Sequence, residues 1–214
     1  MNDMRNYEER SETIRSALER TMEGLADGHV TLRELLHDLG DHGPLILCAF
    51  LTLPFLLPVS IPGVSTVFGL AIILLAVGLV LNRPPWLPDR IMDRPLNAEK
   101  LKAVIGNSLS IVGRVEKIVR QRAVAFTTGG TANRVNGLAV VACGVLLMFP
   151  LGLVPFSNTL PAFAILLLSI GMAQRDGVVV IAGYGMLVAT LIYFSALAYG
   201  ALAAGRGLAS FFGG

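Results

Sequence analysis

The chain has 214 residues, of which 54% are hydrophobic and only 15% charged, with a formal net charge of +2. Soluble domains carry about 25% charged residues, so this composition argues against an ordinary water-soluble globular domain. The small net charge gives no basic surface of the size that nucleic acid requires.

The charge falls in blocks. Residues 1–43 hold five Arg against ten Asp and Glu, and residues 82–134 hold ten Lys and Arg against four acids. Elsewhere the only charged residues are Arg175, Asp176 and Arg206. Residues 1–43 are expected to form an amphipathic arm with a cytoplasmic N-terminus. Ile14, Leu18, Met22 and Leu25 repeat at helical spacing until Asp27-Gly28 breaks the run. Thr31 and Glu34 are spaced as a capping box, followed by a stripe of Leu32, Leu35, Leu36 and Leu39 that Gly40 ends. His29, His37 and His42 also lie in this arm, in an exposed turn setting that suggests no metal site. The arm shows no signal-peptide pattern, so the first apolar run is expected to act as an uncleaved anchor.

Five apolar segments follow, at 44–58, 62–81, 135–156, 159–173 and 177–204. A span needs ~20 residues. The second, third and fifth reach that length. The first and fourth fall short and lie beside prolines: Pro54, Pro58 and Pro62 at one break, Pro150, Pro155 and Pro161 at the other. Each proline removes a backbone donor, and lipid tolerates no unpaired backbone, so the breaks should be buried in protein or face water.

Shifting residues 62–78 by 93 positions gives seven identities in 17, including Pro62/Pro155, Thr66/Thr159 and Gly78/Gly171. The predicted fold is therefore an all-α, polytopic membrane protein with two repeated proline-broken hairpins, residues 44–81 and 135–176. A basic connector, 82–134, joins them, a fifth transmembrane helix follows at 177–204, and residues 205–214 form a tail. No run in the connector can cross a bilayer, so both hairpins should open on one side. The excess of Lys and Arg there assigns that side to the cytoplasm. Within the connector, Leu101, Ile105, Leu109, Val112, Val115, Val119 and Phe126 predict an amphipathic helix over 98–126. Either membrane lipid or the protein's own end could receive it.

No phosphate-binding loop, metal motif or paired-Cys motif is present, so no catalytic residue and no cofactor are assigned. Cys48 and Cys143 lie in apolar segments and are expected to behave as small core hydrophobes. Arg175 and Asp176 are expected to form a charge pair at the membrane interface. Ser65, Thr66, Asn158 and Thr159 gather at the two breaks together with Ser60 and Ser157. Two roles are open to them: capping the following half-helices and satisfying freed carbonyls, or binding substrate at the repeat interface. In the last helix Ala196, Gly200 and Ala204 form a ridge of small residues suited either to packing within the chain or to a homodimer.

Leu53-Pro54-Phe55-Leu56-Leu57-Pro58, Pro62-Gly63-Val64-Ser65-Thr66, Pro84-Pro85-Trp86-Leu87-Pro88, Asn136-Gly137, the run from Pro155 to Ala162, and Arg175-Asp176-Gly177 together resemble the ExoD family of bacterial exopolysaccharide-synthesis membrane proteins. The resemblance covers roughly residues 31–205. Where members of that family tend to carry a glutamine near the end of the first hairpin, this chain has Ala76, Val77, Gly78 and Leu79. The resemblance implies a bacterial inner-membrane protein connected with exopolysaccharide production and supplies no reaction. Two functional readings follow: a transporter-like protein acting on a polysaccharide or lipid-linked intermediate, or a non-transporting accessory subunit of the machinery.

Overall fold

A computed structural model describes residues 30–31, 33–34, 43–56, 63–81, 92–93, 95–96, 123, 126–149, 151 and 154–212. Five helices dominate the described residues: α1 (Gly43–Thr52), α2 (Val64–Leu81), α3 (Gly130–Met148), α4 (Thr159–Ala173) and α5 (Gly177–Phe212). The helix expected over 14–25 and most of the basic connector helix fall outside the described residues. Ala123 carries φ +52°, so no regular helix runs through it to Phe126 as the sequence suggested.

The first apolar segment forms only ten helical residues and then a tight 3-10 turn over Leu53–Phe55, with Pro54 in its first turn. Proline is tolerated there because the first N–H groups of a helix have no partner in any case. α3 begins at Gly130, five residues before the apolar run, and stops at Met148 just ahead of Pro150. α5 runs past Arg206 to Phe212, so the expected tail is helical through that residue. A pair of two-residue antiparallel strands, β1 (Val30–Thr31) and β2 (Pro95–Leu96), was not anticipated.

The Thr31–Glu34 capping box is present. The Thr31 N–H donates to Glu34 Oε2 at 2.9 Å, and the Glu34 N–H donates to Thr31 Oγ1 at 3.3 Å. The bonds to Thr31 hold the Glu34 carboxyl below its usual range. Arg33 donates to Asp93 at 2.8 Å, so strand pairing and an ion pair both tie the arm to the connector.

Packing pairs helices distant in sequence: α2 lies on α3 and α1 on α4, while α5 lies on α4. The α2–α3 crossing is close and antiparallel. A Cβ on Gly69 would fall 3.1 Å from the Gly144 carbonyl, and one on Gly137 would fall 3.3 Å from the Val80 nitrogen. A Cβ would also press on Met148 Cγ at 2.6 Å from Gly69 and on Val80 Cγ2 at 2.8 Å from Gly137, so glycine at both positions lets the two helices approach this closely. Between the helices sits a core of Cys48, Ile72, Leu75, Val140, Cys143, Leu147, Ile165 and Leu168, each 0–1% exposed. Both cysteines are free and buried, as expected of core hydrophobes.

Under the 93-residue shift Ser65, Gly69, Ile72, Leu75, Ala76 and Gly78 are buried like Asn158, Ala162, Ile165, Leu168, Ser169 and Gly171, whereas Thr66, Phe68 and Ala71 are more exposed than Thr159, Pro161 and Ala164.

Two helices, Gly130–Met148 and Gly177–Ala204 within α5, are long and apolar enough to cross a membrane. Only 22% of the α5 window is buried, unlike the core helix of a soluble protein.

Candidate functional site

The bundle has two ends. At the first, which we call the joint end, α3 begins, α4 stops and α5 starts. Asn136 on α3 is buried and links three segments: its Nδ2 donates to the Phe126 carbonyl at 2.9 Å, and its Oδ1 accepts from the Tyr184 hydroxyl of α5 at 2.8 Å. Arg175 takes a left-handed φ of +55°, which closes the turn out of α4. Asp176 then caps α5, its Oδ1 accepting from the N–H of Val178 at 2.9 Å and of Val179 at 3.3 Å. A carboxylate at a helix N-terminus is favoured by capping and by the helix dipole together. Among the described residues no ion pair joins Arg175 to Asp176, so the expected charge pair is replaced by a cap. An Asp placed just before an apolar run is the sequence signal of that role. Gly177 follows because a Cβ there would collide with the Ala123 carbonyl.

At the opposite end, the break end, lie both proline turns. Phe55 meets Phe68 edge-on at 5.7 Å, and Phe149 meets Phe194 of α5 at 6.0 Å. In the second turn Ser157 Oγ contacts two carbonyls, Leu151 O at 2.9 Å and Val154 O at 2.8 Å, and the Tyr193 hydroxyl donates to Pro155 O at 2.6 Å. Phe156 has φ +64° and is 55% exposed.

The residues singled out from sequence divide between the inside and the outside of the bundle. Ser65, Asn158 and Thr159 are buried, whereas Thr66 is exposed, so Thr66 and Thr159 do not line one interior site. Asn158 occupies the N-cap position of α4, but its backbone is helical and its side chain makes no capping hydrogen bond, contrary to the capping expectation. The neighbouring Ser157 hydroxyl instead lies against the Leu151 and Val154 carbonyls, which also accept the N–H groups of Val154 and Ser157. Pro54 and Pro155 are exposed and Pro161 is buried, while Pro58, Pro62 and Pro150 lie outside the described residues. Sequence reasoning missed Tyr184 and Tyr193, the two hydroxyls by which α5 grips the joint end and the break end. Nothing local marks them, since each acts across 38 residues or more.

Comparison with known proteins agrees with these motifs. The family model described as "Exopolysaccharide synthesis, ExoD" matches residues 14–196. Protein ExoD of Rhizobium meliloti is 57% identical over 183 residues, covering 86% of this chain and 76% of that protein. An uncharacterised protein of Synechocystis is 31% identical over 148 residues, covering 69% of this chain and 68% of that one. No solved structure matches. With the family model spanning most of its length and a relative this similar, the chain belongs to the ExoD exopolysaccharide-synthesis family.

Proposed function

We propose that the protein serves exopolysaccharide synthesis as an integral protein of the bacterial inner membrane, acting as a non-transporting accessory subunit of the machinery. The family supports the process, and the two long apolar helices support the membrane. The basic connector supports a cytoplasmic joint end and N-terminus. The shared buried positions and the pairing of α2 with α3 and α1 with α4 support two repeated hairpins.

The observation that favours an accessory role over a transporter is the closed core. A carrier needs a wetted site at the repeat interface. Here that interface is filled by Ile72, Leu75, Val140, Leu147, Ile165 and Leu168, and Thr66 faces away from it. In a deletion strain complemented with this chain, Ser65→Ala, Thr66→Val and Thr159→Val should each restore exopolysaccharide to the wild-type level. A drop in output by any of them, with expression and thermal stability unchanged, would reinstate a substrate path to a polysaccharide or lipid-linked intermediate.

The same reading includes a homodimer through α5. Ala196, Gly200 and Ala204 are exposed, and a Cβ on Gly200 would meet nothing within 4 Å of its own chain. Light scattering in detergent should show a dimer for the wild type and a folded monomer for Gly200→Leu. A wild-type monomer would end the idea.

A further inference from the structure

We infer that the break end of the bundle is a lipid-facing surface inside the bilayer: the two hairpins return to the side from which they enter, and α5 alone crosses. This rests on the membrane reading above.

Three independent observations converge on it. The first is the measure of the bundle against α5. Tyr193 and Phe194 sit level with the break end, through Pro155 and Phe149. From Gly177 at the joint end to Tyr193, a helix rises ~24 Å. α5 nevertheless continues without a charged residue as far as Arg206. Its uncharged stretch, Gly177–Ala204, is ~42 Å long and must tilt to fit ~30 Å of hydrocarbon. At the same tilt the four-helix bundle rises only ~17 Å, leaving the break end ~13 Å short of the far boundary.

The second observation is what the break end presents outward. Leu53 is 41% exposed, Phe149 49% and Phe156 55%, and α5 adds Leu191 and Ile192 beside them. Hairpin tips in water carry polar turn residues. These carry large apolar ones.

The third is how the turn treats its backbone. In water, loop carbonyls are satisfied by solvent. Here Leu151 O accepts the Val154 N–H and Val154 O the Ser157 N–H, with the Ser157 hydroxyl within 2.9 Å of both, and Pro155 O accepts from Tyr193. A turn whose carbonyls find their partners inside the protein is what hydrocarbon demands, since an unmet carbonyl there has no solvent to turn to.

The test uses the full chain in vesicles of phosphatidylethanolamine and phosphatidylglycerol. Phe156→Cys, Leu53→Cys and Val188→Cys are spin-labelled singly, and each label's collisions with oxygen are compared with those with a water-soluble nickel chelate. The native thiols of Cys48 and Cys143 are fully buried, and unlabelled-background protein controls for them. Labels at 156 and 53 should favour oxygen severalfold, as at exposed, mid-helix Val188. If 156 and 53 collide with nickel as freely as a label in water while 188 stays protected, the break end is periplasmic and this inference fails alone. If 188 is also open to nickel, the membrane reading itself fails. Should a cysteine variant not fold, Phe156→Trp in a Trp86→Phe background gives the same decision. Quenching by acyl-chain-brominated lipid supports the inference, and none overturns it.

Discussion

Gly177→Ala should unfold the joint end, whereas Gly185→Ala, two turns along the same helix, should slightly stabilise the protein. A methyl on Gly177 would meet the Ala123 carbonyl, carbon and Cβ. All belong to a neighbouring segment's backbone or its first side-chain atom, so no rotamer change can relieve the clash. Overpacking costs about 1–3 kcal/mol where side chains yield, and here the upper end applies. For a chain of this size about 3 kcal/mol lowers Tm by roughly 6–12 °C. At Gly185 nothing lies within 4 Å, and replacing a helical Gly by Ala gains about 0.5–1 kcal/mol. Thermal melts of the two variants in detergent, read against wild type, should move in opposite directions. A Gly177→Ala melt that rises as the Gly185→Ala melt does would mean that Ala123 is not docked on α5.

The second large effect is expected at Asn136. Asn136→Leu keeps the γ-branched shape but removes both the donor to Phe126 O and the acceptor of the Tyr184 hydroxyl. Each group left without a partner costs about 1–3 kcal/mol, so the variant should lose about 2–5 kcal/mol. Tyr184→Phe should lose less, because only Asn136 Oδ1 is orphaned. In the Tyr184→Phe background, Asn136→Leu should then be milder than alone, with coupling of about 0.5–3 kcal/mol. Chemical denaturation of the four proteins measures this, and strict additivity would show that the two side chains do not act as a unit.

What could be read from the sequence and what could not follow from physical range. Features encoded within a few residues were legible. The capping box at Thr31 and Glu34 is a four-residue pattern, and α4 has the predicted limits because Pro161 in its first turn and the charged Arg175-Asp176 just beyond its end are local punctuation. Helix ends set by tertiary contact were not. α3 starts in the polar stretch from Gly130 because Asn136 and Gly137 are anchored to α5 and α2, which hydropathy does not register. α5 passes Arg206 because one charged residue does not terminate a helix. The adjacency of Arg175 and Asp176 suggested a pair, but a positive φ at Arg175 turns the chain, and the carboxylate meets N–H groups instead. The candidate polar residues shared a sequence neighbourhood and split in space, since Ser65 and Thr66 are adjacent on a helix and point in different directions.

The packing of α1 and α2 carries a consequence in time. α2 finds its main partner in α3 and α1 in α4, so neither α1 nor α2 can complete its interface until α3 and α4 have been made. At about 5–20 residues per second of synthesis, the interval between Leu81 and Ala173 lasts roughly 5–20 s. During that wait the glycine-bearing face of α2 has no α3 to cover it. β1 and β2 lie on either side of α1 and α2 along the chain, and both strands emerge before any residue of α3. The strand pair is therefore placed to hold the ends of the α1–α2 segment together while it waits for its partners.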